Sequence, residues 1–340
     1  MSADFWNSSQ HNKWQLTRHS LLESRRRLLL LERKMIQNGL IKDFNVAYDY
    51  NMRIYLHNLI IKLGRRLNIR QVALASAEIY LTRFLTRVSL KEINVYLLVT
   101  TCLYVACKIE ECPQHIRLII SEARNLWPEY IPHDVTKLAE FEFYLIEEMD
   151  SFLFLHHPYR SLLQIRDFLI ENQAVYGFTL NDDELQNAWS LINDSYITDL
   201  HLLLPPHIIA VTSIYITIVL KKHLSAIRGR NEGAVPGQKP DSSTMHIDDL
   251  MTLANPKDTT QSEPGSKSQP VELEGTNFQD MKLDEDTIKI NRFMNFLDHS
   301  HINLDEVVEA MQDIINIYVI WNRYNEGTVK KTLQMMLLNR

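Results

Sequence analysis

The sequence predicts an all-α protein made of two tandem five-helix units behind an N-terminal helix. Three observations carry this expectation. Glycine is scarce, at 9 of 340 residues, where about 7% is usual, and strands are hard to connect without glycine turns. Apolar residues recur at three- and four-residue steps over most of the chain, the period of a helix with one buried face. A faint internal similarity repeats at an offset of 111 residues.

The composition bounds the function. Hydrophobic residues at 45% and charged residues at 23% describe an ordinary folded chain, and 340 residues exceed what one core comfortably organises, so two domains are expected. A net charge of -6 disfavours a protein that coats nucleic acid or an anionic membrane, and points to protein partners. Apolar runs such as RLLLLE at 27–32 and LLLPPHIIAV at 202–211 fall short of the roughly 20 residues that cross a bilayer. The stretch MSADFWNSSQHNKW lacks the apolar core of a signal peptide. Cys102, Cys107 and Cys112 crowd one segment, which fits reduced thiols of the cytosol or nucleus.

Residues 1–45 read as an arm and a charged helix at 16–37, with Leu21, Leu28, Leu31 and Met35 on its packing face. Arg25, Arg26 and Arg27, with Glu23 and Glu32 close by, read as a solvated face. The first unit, 46–155, carries predicted helices at 50–66, 69–85, 90–109, 113–125 and 133–150. In the third, Val95, Leu98, Val99, Cys102, Val105, Ala106 and Ile109 form a wide buried stripe. Pro113, Pro128 and Pro132 fall in the gaps, where a missing N–H does least harm.

The second unit, 156–340, begins near Pro158. Thr101 to Val105 match Thr212 to Ile216, and Tyr80, Leu81 and Thr82 match Tyr196, Ile197 and Thr198, so the two units read as copies of one domain. Between about 225 and 287 the character changes: five of the nine glycines and five of the eleven prolines lie there. A segment so poor in apolar residues cannot offset its chain entropy, and a disordered insertion is expected. Helical periodicity then resumes in NRFMNFLDHS and LDEVVEAMQDIINIYVIWNRY.

No phosphate-binding loop, dinucleotide fingerprint, H-E-x-x-H or C-x-x-C is present. The C-x4-C-x4-C spacing scatters the thiols around a helix axis, and the His156–His157 and His299–His301 pairs lack carboxylates at ligand spacing. The expectation is a protein with no catalytic residues, no metal and no cofactor. The charge that does need explaining is Glu142, on the otherwise apolar stripe of Val135, Leu138, Leu145 and Met149. Lys108, ending a neighbouring helix, is its natural partner. Either the two satisfy each other inside the fold, or they form a binding site. The second copy has Val219 in place of Lys108, and Lys221 and Lys222 in place of Glu110 and Glu111. A pair required by the fold would be wanted in both copies, so its presence in one favours a binding site.

These residues resemble the cyclin family. ACKIEE at 106–111 is similar to A-x-K-x-E-E of the first cyclin box, FEFYLIEEMDSFL at 141–153 to its fifth helix, and IYLTRFL at 79–85 to the Y-L-D-R-F-L run of its second. ADFWNSSQHNKW, HPYRSLLQ at 157–164 and NDSYITDLHLLLPP at 193–206 resemble the C-type cyclins, regulatory subunits of the Mediator-associated cyclin-dependent kinase. The resemblance covers nearly the whole chain outside the insertion. It implies two five-helix cyclin boxes, the first binding the kinase through Lys108 and Glu142 with Ile109, Ile146 and Leu153 around them. It implies a nuclear, non-catalytic subunit, with other Mediator kinase-module subunits as partners and no direct contact to nucleic acid or membrane. Trp6, Glu110 and Glu111 are expected to meet one of those subunits. The runner-up with the same architecture, a two-repeat promoter-binding general transcription factor, calls for a zinc ribbon and a basic core, which this chain lacks.

The sequence also departs from the family. Cyclins that recruit R-x-L substrates read M-R-x-I-L-x-x-W-x-x-E in the first helix, whereas here Met52 and Arg53 are followed by Leu59 and Lys62, so that docking does not carry over. Thr82 replaces the aspartate of Y-L-D-R, which removes the partner that family members offer Arg53.

Overall fold

A computed structural model describes residues 4–231 and 285–338, and all its regular elements are helical. In chain order these are α1 (Ser9–Trp14), α2 (Arg18–Gln37), α3 (Tyr50–Arg66), α4 (Gln71–Phe84), α5 (Val95–Ile109), α6 (Ile116–Leu126) and α7 (Thr136–Glu148). They are followed by α8 (Pro158–Glu171), α9 (Gln173–Tyr176), α10 (Asp182–Ser195), α11 (Leu200–Leu203), α12 (Pro206–Asn231), α13 (Glu285–Asp298), α14 (Leu304–Trp321) and α15 (Glu326–Leu338). A short 3-10 turn, Leu90–Glu92, precedes α5. Helix α12 therefore continues beyond 225 and α13 starts before 287; the rest of the expected insertion, 232–284, lies outside the described residues.

Two five-helix units emerge, α3 to α7 and the set α8, α10, α12, α13 and α14. Each is organised around a central helix, α5 in the first and α12 in the second, the latter buried on nearly every side over residues 206–219. In α5 every residue from Val95 to Cys107 is buried, as expected of a helix apolar all round, and Asn94 caps it by accepting from the Tyr96 and Leu97 N–H groups at 3.1 and 3.3 Å. The hydroxyls inside both central helices bond backward to a carbonyl one turn earlier. Thr101 Oγ1 donates to Leu97 O at 2.8 Å, and Thr212 Oγ1 to Ile208 O at 2.8 Å. These two threonines are partners in the internal repeat, so the similarity read from the sequence corresponds to one packing role used twice.

The units are closely joined. Ala75 and Ile79 of α4 belong to the apolar cluster of the second unit, and Ile54 of α3 packs with Ile197 and Ile317. The last helix crosses back: Leu333 and Met336 of α15 are buried in the core of the first unit. Two N-terminal elements lie over the junction. Trp14 of α1 is buried against the Arg83 and Arg87 guanidinium groups, 4.7 and 4.6 Å from its ring. Gln10 pairs by its side-chain amide with the His156 backbone, donating to the carbonyl at 3.3 Å and accepting from the N–H at 2.6 Å.

Helix α2 differs from expectation. Leu21 is buried with Leu202 and Leu203, but Leu31 is exposed. The helix is oriented by charges spaced seven residues apart. Arg18 reaches Glu309 and Asp313 on α14 at 3.1 and 3.0 Å, Arg25 reaches Asp199 at 2.6 Å, and Glu32 accepts from Ser89 at 2.8 Å and meets Lys91 at 2.6 Å. Residues seven apart share a face, and this polar row, not the leucines, decides which side faces the body.

Arg53 replaces the missing partner at Thr82 with one from the second unit. Its guanidinium donates to both Asp199 oxygens at 2.8 and 3.2 Å, lies over the Tyr48 ring at 4.6 Å and is itself buried. Burial alone would raise the Asp199 carboxyl, but the charge of Arg53 and the hydrogen bonds from Arg25 and Arg53 outweigh it and hold it below the ordinary aspartate value. Arg53→Ala strips a buried carboxylate of its main counter-charge and is expected to cost about 3–5 kcal/mol, read as a lower urea midpoint at unchanged m-value. Since the folded-state value lies below the unfolded one, the stabilisation from Asp199 is fully present above about pH 4 and is lost as the pH falls through the folded value. In thermal melts against pH, Asp199→Asn flattens this acid limb.

Candidate functional site

The two charges singled out in the sequence meet. Lys108, in the last turn of α5, donates from Nζ to Glu142 Oε1 of α7 at 2.6 Å, and its ammonium stands 4.4 Å from the Tyr104 ring centroid. Lys108 is exposed, whereas Glu142 is largely covered. Partial burial works against the lysine charge, but the hydrogen bonds and charges of Glu142 and Tyr104 outweigh it and raise the pKa above the ordinary lysine value. The pair is thus presented at the surface through its lysine, with Ile109 and Ile146 half-buried beside it on the same two helices and Leu153 half-buried beyond α7.

Both helices end in the same way. After α5, the Glu111 N–H donates to Lys108 O at 3.4 Å and the Cys112 N–H to Cys107 O at 2.9 Å, with Glu111 at φ 52°. After α7, the Asp150 N–H donates to Glu147 O at 2.9 Å and the Ser151 N–H to Ile146 O at 3.0 Å, with Asp150 at φ 52°. These are Schellman caps, in which glycine is the usual left-handed residue, and here acids hold that place. Beyond the second cap, Arg83 donates to Phe152 O at 3.1 Å and Tyr80 OH to Leu153 O at 2.5 Å. That segment is thereby fixed while Phe154 stands out from it.

Two residues missed by the sequence reading belong here. Phe143 and Phe154 are each 75% exposed. An aromatic side chain left in water next to a paired charge, as Phe143 is to Glu142, has the composition of an interface anchor, and Phe154 is exposed next to Leu153. The available signal was that Phe143 falls off the Val135–Leu138–Leu145–Met149 stripe, which places it on the outer side of α7.

The remaining expected residues lie elsewhere. Trp6 is 55% exposed in an aromatic cluster with Phe5, His11 and His207, its ring centroid 5.3, 5.1 and 5.8 Å from theirs. Glu111 is exposed at its cap. Glu110 is committed internally: its Oε1 accepts from Ser76 Oγ at 2.6 Å and lies 3.8 Å from His157 Nε2, while His157 Nδ1 is 2.8 Å from Tyr196 OH. Burial would raise the Glu110 carboxyl, but the hydrogen bonds from His157 and Ser76 outweigh it and lower the pKa. Cys102 and Cys107 are buried free thiols and Cys112 is half-buried. Among the described residues no cluster of three or more histidine, cysteine, aspartate or glutamate side chains is arranged to hold a metal ion, and no helix is long and apolar enough to cross a membrane.

The surface of α3 that R-x-L docking would need is already occupied. Leu59 is buried in one cluster with Leu333 and Met336 of α15, and Lys62 pairs with Glu326 at 2.7 Å. The departure at Lys62 is therefore a contact with the last helix, and Leu59 is buried in the core that this helix completes.

Comparison with known proteins agrees with this architecture. Residues 24–151 match the model of the cyclin N-terminal domain. The chain is 80% identical over 350 residues to the RNA polymerase II holoenzyme cyclin-like subunit of Scheffersomyces stipitis, covering 100% of this chain and 99% of that one. It is 44% identical over 360 residues to the Saccharomyces cerevisiae protein of the same description, covering 99% and 98%. A chain of the CAK complex of Chaetomium thermophilum bound to ATP-gamma-S shares the fold, with TM-score 0.53 and 19% identity over 67% of this chain and 75% of that one. A chain of the yeast TFIIK complex does likewise, with TM-score 0.50 and 19% identity over 67% and 99%. The protein belongs to the cyclin family, and its relatives lie among the C-type cyclins of the RNA polymerase II holoenzyme.

The cap of α5 yields a test. Glu111→Gly removes the steric cost of a side chain at positive φ and is expected to raise the melting temperature by about 1–3 °C, whereas Glu111→Ala keeps the cost and does not. Differential scanning calorimetry of the two variants distinguishes them.

Proposed function

We propose that this cyclin is the non-catalytic regulatory subunit of a cyclin-dependent kinase in the Mediator kinase module, acting in the nucleus on RNA polymerase II transcription. The observation that carries the proposal is the Lys108–Glu142 pair, joined at 2.6 Å and presented at the surface beside Phe143, and built into one repeat only. A protein kinase is active when a glutamate of its αC helix pairs with the lysine of its third strand. A subunit that binds this arrangement better than its alternatives shifts the kinase toward it, and needs only that differential affinity.

In this reading, Lys108 offers donors and Glu142 an acceptor to backbone groups near αC. Ile109, Ile146, Leu153, Phe143 and Phe154 supply the apolar area around them. No residue of the cyclin takes part in phosphoryl transfer. Trp6 and Glu111, both exposed, are assigned to a further subunit of the kinase module. Glu110 contributes by holding the two repeats together through Ser76 and His157.

Lys108→Ala alone leaves the largely covered Glu142 carboxylate without its counter-charge, so it is combined with Glu142→Gln, and the melting temperature of that double variant should barely move because the pair as a whole is worth roughly 0–1 kcal/mol. Phe143→Ala removes little buried area and should behave alike. Affinity for the purified kinase domain and its activity on a peptide substrate are expected to fall at least about tenfold for each variant, the effect of one interface anchor. Wild-type affinity in both variants would refute the site. Salt-sensitive binding to duplex DNA with no affinity for the kinase would instead support the two-repeat promoter-binding factor.

A further inference from the structure

The outward side of α2 carries an apolar row that nothing in the fold uses. Leu22, Leu29 and Leu30 are 64%, 56% and 49% exposed, and Arg26 and Arg33, four residues on from Leu22 and Leu29, form the row beside them. The inward charges at Arg18, Arg25 and Glu32 fix the roll of the helix against both repeats, so these leucines cannot turn in to find cover. Arg25 and Arg27 are paired with Asp199 and Glu23, whereas Arg26 and Arg33 meet no carboxylate among the described residues. Leu22 and Leu29 are seven residues apart, and so are Arg26 and Arg33. One apolar row flanked by one basic row is half of a two-helix seam.

We infer that this face of α2 docks an amphipathic helix of a protein partner, with an apolar stripe bordered by aspartate and glutamate. The length of α2, 20 residues, gives nearly three heptads, enough for a helix-on-helix contact, and the uncovered arginines select acidic neighbours. An anionic bilayer is the less favoured occupant, since the chain carries a net charge of -6 and a surface-bound amphipathic helix calls for a richly cationic polar face. The inference is independent of the surface formed by Lys108 and Glu142.

The test uses the full chain and a fluorescent designed helix of about three heptads, with leucine at the seam and glutamate at the flanking positions, beside a twin carrying lysine at those positions. Fluorescence anisotropy is expected to show binding of the glutamate peptide and not of the lysine peptide. Leu22→Ser with Leu29→Ser should weaken it about tenfold or more, and Arg26→Glu with Arg33→Glu should reverse the preference toward the lysine peptide. The melting temperature should hold, because all four side chains are exposed. Equal binding of both peptides, or of neither, overturns the proposal. So does binding to phosphatidylserine vesicles that the leucine variant abolishes, or leucine-dependent dimerisation in sedimentation equilibrium.

Discussion

The carboxylate of Asp199 is the interaction on which the arrangement of this molecule depends. It lies in the second repeat, yet its two oxygens are held by Arg53 of the first repeat and its charge is shared with Arg25 of the N-terminal helix. Three parts of the chain far apart in sequence meet at one buried acid. Removing water from an acid is costly unless its partners are well placed, so the contact fixes geometry more than it adds stability. Helix α2 cannot roll, α3 cannot slide along the second repeat, and the surface that displays Lys108 keeps its relation to the rest of the body.

The paired charge of Lys108 and Glu142 follows a different logic. Its worth to the fold is small because Lys108 remains in water, while the helices that carry it are rigid. Helix α5 is enclosed by the first unit over almost its entire length, and α7 is anchored by buried Leu138, Leu145 and Met149. The weak interaction is thus held by strong ones. This suits a docking surface, which needs its groups pre-positioned and still available.

Much of this was legible in the chain itself. Helical periodicity and scarce glycine gave the class, and the Thr101–Thr212 correspondence marked the two units as copies of one domain, in which both threonines lie on the central helix. Glu142 was conspicuous because an acid on an apolar stripe requires a partner, and Lys108 is that partner at 2.6 Å. Other features were hidden for physical reasons. Leu31 scored as a packing residue because periodicity weighs apolar side chains, whereas α2 is oriented by ion pairs to Asp199, Glu309 and Lys91, whose positions only the fold supplies. The exposure of Phe154 depends on how the segment after α7 is tied to Arg83 and Tyr80. The new partner of Arg53 could be missed since Asp199 lies 146 residues away in sequence.

The return of α15 to the first repeat has a consequence for how the chain matures. Leu333 and Met336 complete a core whose other helices, α3 to α7, all leave the ribosome long before them. Domains made first usually finish folding first during synthesis, but here the core of the N-terminal repeat is complete only once Leu333 and Met336 have been made. The growing polypeptide therefore passes through a stage in which the second repeat can close while the first is still open at α3. That interval is when a chaperone would find apolar surface to hold, and it ends as Glu326 reaches Lys62.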